Sequence, residues 1–186
     1  MTETKLFAVY LGGRAPKGNT EIHDVVFATG RTIEDTYEQL MDKWLGTLKR
    51  LHLDSWIEFD IVDGHKVTLG PRADAGAEKL YFINLGAYRD GEFTEIHANK
   101  FLVAKSTTEA KARGKLELLK GWPSPVHTDD LYDVDDCIEI GCVDALHVVL
   151  EKTDKTENLR PNNGYHLIPK TVVEDYMRRK NIVELP

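Results

Sequence analysis

Two stretches decide the fold: Lys5-Leu-Phe-Ala-Val-Tyr-Leu-Gly12, closing on Thr20-Glu-Ile-His23, and Lys79-Leu-Tyr-Phe-Ile-Asn-Leu-Gly86, closing on Thr94-Glu-Ile-His97. The offset is 74 residues in both halves of the match, and Phe27 then falls on Phe101. Nine of the 23 positions from 5 to 27 are identical, where unrelated chains would give roughly one or two. Self-similarity at a fixed offset marks an internal repeat and governs every later assignment. With a slip of one residue, His52-Leu-Asp54 aligns with His127-Thr-Asp129.

Each copy reads as two strands, a helix and two more strands. The apolar runs Leu6–Leu11 and Leu80–Leu85, with Asn84 the polar exception, suit strands covered on both faces. The segments 21–29 and 95–103 follow, and the two-residue period puts Glu21, His23, Val25 and Phe27 on one face. Thr32-Ile-Glu-Asp35 and Ser106-Thr-Thr-Glu109 offer a hydroxyl cap with an acid three residues on, the signal of a helix start. Ile33, Tyr37, Leu40, Met41, Trp44 and Leu48 form an apolar stripe in copy one, and Ala112, Leu116 and Leu119 form one in copy two, with Gly121 as its stop. Ile57, Phe59 and Ile61 alternate inward, and Asp63-Gly64 is a hairpin turn before Lys66–Leu69. Copy two returns through 141–144 to Leu146–Leu150.

The expected fold is therefore α+β. Two tandem ββαββ-like repeats, residues 1–70 and 79–150, are joined by a Gly/Pro/Ala linker at 71–78 and packed as one pseudo-symmetric body. Residues 151–186 form an extension with a short strand at 165–168 and a helix starting at Pro169.

Composition narrows the function classes. A net charge of −7 lacks the clustered cations that phosphate backbones require, and Arg178-Arg179-Lys180 reads as the cationic end of a helix. No apolar run reaches the length of a membrane span. The start Met1-Thr-Glu-Thr-Lys5 lacks a leader's basic-then-apolar pattern, so a cytoplasmic protein is expected. Cys137 and Cys142 have neither redox nor zinc spacing and read as free thiols.

The segment Leu6-Phe-Ala-Val-Tyr-Leu-Gly-Gly-Arg14, with Glu21-Ile-His23, Thr32-Ile-Glu-Asp35 and Asp133-Val-Asp-Asp-Cys137, resembles a bacterial domain of unknown function, number fifteen-forty-three, found in one or two copies per chain. The resemblance spans roughly residues 5–150. It implies a bacterial cytoplasmic protein and brings no activity, cofactor or site residue with it.

The sharpest chemical constellation is the matched set Glu21 and His23, His52 and Asp54, Glu95 and His97, His127 and Asp129. A Glu-x-His or His-x-Asp spacing on a strand points both side chains to one face. Such a face can hold zinc or iron, with His23, His52, Asp54, His97, His127 and Asp129 as candidate ligands, or run acid–base chemistry. Histidines closing sheet edges would match across copies just as well, and that structural reading is preferred over metal binding or catalysis for the whole set. The loop Gly12–Gly18 with Arg14 and Lys17, and its counterpart with Arg89, could cradle an anion, but a strand follows it, so it is no P-loop. The acidic residues at 129–136 lack a calcium loop's glycine and spaced glutamate, and no nucleophile motif is present.

The expected function is a non-enzymatic module that binds a protein or small-molecule partner in the groove between copies. Glu21, His23, Glu95 and His97, with Arg14 and Arg89, would line that groove. No cofactor is expected. The rivals are a metal-dependent enzyme built on the His/carboxylate set, and a homo-oligomer, the simplest being a homodimer, joined along strand edges.

Overall fold

In the computed structural model the chain is α+β, with few helices and several antiparallel sheets. The structure describes residues 3–73, 75–88, 91–120, 134–156 and 158–183. The chain divides into two compact units, residues 1–60 with 158–186, and residues 61–157. The hairpin at 61–70, grouped by sequence with copy one, therefore lies in the second unit.

The first unit is a four-stranded antiparallel sheet. Strands β1 (Lys5–Gly13), β2 (Ile22–Gly30) and β3 (His52–Glu58) are joined by β11 (Asn162–Leu167) in the order β11-β3-β1-β2. One face carries the core: Phe7, Val9 and Leu11 from β1, Val26 and Ala28 from β2, and Leu53 from β3. Leu40, Met41, Trp44 and Leu48 pack over it, as the apolar stripe requires. The helix that delivers them is short. A 3-10 turn at Glu34–Thr36 leads into α1 (Tyr37–Lys43), and Trp44 leaves the helix at ψ 132. Trp44 then donates its indole N–H to the Thr47 carbonyl, so Trp44 and Leu48 reach the core from a turn. At the helix start Asp35 accepts from the Arg31 and Thr32 amides. The tail adds β11 and then α3 (Lys170–Lys180), directly after Pro169 as the sequence predicts. Tyr176 of α3 donates its hydroxyl to Asp42 at 2.6 Å, and Arg179 and Lys180 pair with Glu38 and Asp42.

The second unit holds two sheets. Strands β6 (Lys79–Ala87), β7 (Ile96–Ala104) and β8 (Val134–Glu139) pair in the order β7-β6-β8. Strands β4 (Ile61–Val62), β5 (His65–Gly70), β9 (Cys142–Val143) and β10 (Leu146–Lys152) form a second sheet, β4-β5-β10-β9. Its hairpins turn at Asp63-Gly64 (φ 47 and 70) and Asp144-Ala145 (φ 49 and 66). Two successive positive φ values are the type I′ geometry that matches strand twist. Helix α2 (Thr107–Lys120) starts with half of a capping box: Ser106 Oγ accepts from the Glu109 amide, while the Glu109 carboxylate reaches one residue further back and accepts from the Lys105 amide. The predicted stop at Gly121 lies outside the described residues. Asp63 accepts from the Val103 amide and pairs with Arg113, tying the first hairpin to β7 and α2. Asn84 donates to Asn99 on β7 at 2.7 Å, which accounts for the polar residue in an otherwise apolar strand.

Candidate functional site

On β1 the odd residues face the core, so Ala8, Tyr10 and Gly12 face the other way. Gly12 pairs with His23 on one side and His52 on the other, and Tyr10 pairs with Val25 and Ser55. The β1–β3 register slips between Tyr10 and Leu11: Leu11 faces Leu53 and Tyr10 faces Ser55, which leaves Asp54 as the extra residue of a bulge. A bulge lets two residues oppose one and re-aims their side chains. It keeps Leu53 and Trp56 on the core side while both His52 and Asp54 turn toward the open face. From β11, Tyr165 reaches the His52 ring, with centroids 4.1 Å apart. A single row thus draws on all four strands of the first unit: Tyr165, His52 and Asp54, Gly12 and Tyr10, then His23 with Glu21 just ahead of β2.

The row is a network of close polar contacts. His52 is buried, 3% exposed. Its Nδ1 lies 2.9 Å from the Arg50 carbonyl, and its Nε2 lies 2.7 Å from Glu21 Oε1 and 3.4 Å from Asp54 Oδ1. Both ring nitrogens of His52 therefore face acceptors. His23 Nε2 lies 3.3 Å from Asp54 Oδ2, but the geometry makes no hydrogen bond, and that buried oxygen has no hydrogen-bond partner. The His23 ring stacks on Tyr10 at 5.2 Å and 4°. Partial burial, and then the Asp54 charge, push the Tyr10 hydroxyl above its ordinary titration range. Gly12 is required here. A Cβ at this position would lie 2.5 Å from both Asp54 Oδ2 and His52 Nε2, so the cluster packs directly on the backbone.

The predicted residues fall into three groups. Glu21, His23, His52 and Asp54 come together in the first unit. Glu95 and His97 pair at 3.5 Å in the second, where Gly86 faces His97 as Gly12 faces His23. Arg14 is exposed, and its guanidinium donates to the Asn19 carbonyl. Arg89, His127 and Asp129 lie outside the described residues. The strand register also moves one equivalence. Leu85 faces Val134 and Asn84 faces Asp136, so the position matching Asp54 is Asp135, six residues beyond the alignment drawn from sequence. Among the described residues, no group of three or more His, Cys, Asp or Glu side chains is arranged to hold a metal ion.

Sequence reasoning missed Tyr10, Tyr165 and Gly12. Tyr10 falls in the apolar run expected to be covered on both faces, yet it is 38% exposed. The signal was its aromatic hydroxyl in an aliphatic run, one position from the glycine. The second unit has its own cleft of ≈ 350 Å³, lined by Glu78, Lys79, Glu139, Cys142 and His147 among others.

Residues 18–69 match the model of a family described as Domain of Unknown Function (DUF1543). The chain is also similar to the crystal structure of protein Il1583 from Idiomarina loihiensis. The two share 34% identity at a TM-score of 0.72, over 90% of this chain and 100% of that one. No curated protein matches the chain. No helix among the described residues is long and apolar enough to cross a membrane.

Proposed function

The chain belongs to the DUF1543 family, and from that premise we propose that it is a non-enzymatic binding module of two tandem ββαββ copies, whose first unit takes a small ligand at the row running from Tyr165 to His23. The observation that carries this reading is Asp54 Oδ2, a buried carboxylate oxygen without a hydrogen-bond donor. A network with a purely structural role gains by satisfying every member, because an orphaned buried acceptor costs roughly 1–3 kcal/mol. Strain of this kind, held in place by a bulge and a required glycine, is what ligand sites accumulate. Tandem copies are supported by the shared register of Gly12 with His23 and Gly86 with His97, by the matching slips in β1–β3 and β6–β8, and by the two type I′ hairpins.

A metal-dependent enzyme is the second reading. The observation in its favour is His52 Nδ1 set against the Arg50 carbonyl, a contact that metal-bound histidines commonly make. Elemental analysis of untagged protein, purified without chelator, separates the two readings. Stoichiometric zinc or iron that is lost in His52→Ala favours the enzyme.

The binding reading is tested by denaturing purified wild-type protein and Asp54→Asn and identifying the small molecules each releases by mass spectrometry. A compound released by wild type and absent from a folded Asp54→Asn supports the site. The same compound released equally by both removes the row as its location.

A further inference from the structure

We infer that the ligand of the first unit's row is a small organic cation, carrying a primary ammonium or guanidinium group. This rests on the proposal that the row is a ligand site, and it adds the chemical class.

The hydrogen-bond balance of the row comes first. The acceptors are the Arg50 carbonyl and two oxygens from each of Glu21 and Asp54, five in all. The N–H groups that the two rings can aim at them are His52 Nδ1 and Nε2 and His23 Nε2, at most three. Tyr10 and Tyr165 add two hydroxyl donors, but Asp54 Oδ2 still has no donor, and an ammonium or guanidinium supplies only donors. Charge points the same way. Glu21 and Asp54 bring two carboxylates to the row. None of the row's residues is Lys or Arg, and the whole chain carries −7.

Access and surroundings complete the argument. Glu21 and Asp54 side chains are 39% and 30% exposed, so each carboxylate can be reached from outside although Asp54 Oδ2 itself is covered. Tyr10 and Tyr165 flank them with exposed rings, Tyr165 at 55%. Carboxylates beside exposed aromatic faces attract cations through both charge and ring quadrupole. An anion would meet two carboxylates with no Lys or Arg in the row to offset them, and both nitrogens of His52 already face acceptors.

The test is NMR of the full chain with labelled aromatic rings, titrated with three probes of similar size: methylguanidinium, acetamide and acetate. Methylguanidinium should shift the rings of Tyr10, His23 and Tyr165 and saturate in the millimolar range, about 1–10 mM. Acetamide should bind at least about tenfold more weakly, because it lacks the charge. Glu21→Gln, a change at an exposed position outside the strands, and Asp54→Asn should each weaken methylguanidinium binding about fivefold or more. Acetate or acetamide binding more tightly than methylguanidinium at the same rings overturns the cation assignment and leaves the ligand site standing. Stoichiometric titration of those rings by zinc chloride alone overturns it in favour of a metal. If no probe shifts these rings, the cation assignment and the site both fall.

Discussion

Replacing Gly12 with alanine tests the packing on which the row depends. The added Cβ would stand 2.5 Å from Asp54 Oδ2 and from His52 Nε2, about 1 Å inside ordinary contact. Both groups must retreat, and the 2.7 Å contact between His52 and Glu21 is the first to open. Overpacking costs about 1–3 kcal/mol, and a hydrogen bond to a charged group contributes about 1.5–3. Alanine's advantage over glycine inside a strand, about 0.5–1 kcal/mol, works the other way. The expected net loss is about 3.5 kcal/mol, or a Tm lowered by roughly 7–14 °C for a chain of this size. Denaturant unfolding of the full chain measures it. Gly70→Ala is the control, since its Cβ would meet only Val149 at an ordinary 3.4 Å; it should be neutral or stabilising. In an Asp54→Ser background the Gly12→Ala cost should fall by about 1 kcal/mol, because the two sites are coupled. Gly12→Ala as stable as wild type, with no coupling to Asp54, would refute the claim that the cluster rests on this backbone.

Three further outcomes follow from the same geometry. Burial, with the hydrogen bond to Asp42, pushes the Tyr176 phenol up to about 12. A proton held more tightly in the folded state adds stability that is complete below pH 10 and is lost as pH rises through about 12; Tyr176→Phe should flatten that alkaline loss in pH-dependent unfolding and cost about 1–2 kcal/mol at neutral pH. Ala145 sits at φ 66 in a turn whose counterpart position is Gly64, so Ala145→Gly should stabilise by about 1 kcal/mol, and a lower denaturation midpoint would contradict the turn assignment. Cys142 is exposed, while burial raises the Cys137 thiol, so iodoacetamide should alkylate Cys142 about tenfold faster; peptide mass spectrometry showing Cys137 labelled first would be the contrary result.

Much of the site was legible because strand periodicity is rigid. Glu21 with His23, and His52 with Asp54, were placed on shared faces by spacing, and the structure brings all four together. What the sequence could not supply is the bulge. A regular strand would keep His52 and Asp54 on one face but carry Trp56 there too; the bulge at Asp54 returns Trp56 to the core side and leaves no residue signature beyond the register it creates. The same limit misplaced the counterpart of Asp54. The connection after α2 is longer than a one-residue slip allows, and only the facing of Leu85 with Val134 identifies Asp135. The helix stripe predicted burial correctly for Leu40, Met41, Trp44 and Leu48 but not the element, because a turn closed by the Trp44 indole delivers the last two as well as a helix would. Tyr165 entered the row through β11 pairing with β3, a contact between residues more than 100 positions apart, which local patterning does not encode.

The most direct test of the central claim, that the first unit's four-strand row is the ligand site, is backbone and aromatic chemical-shift mapping of the wild-type chain against a small-fragment library. The account predicts that the strongest hits perturb Gly12, His23, Asp54 and Tyr165 together, and that Asp54→Asn removes them while leaving the rest of the spectrum in place. Hits that instead gather on Glu139, Cys142 and His147 in the second unit's cleft, with the row unmoved, would contradict it.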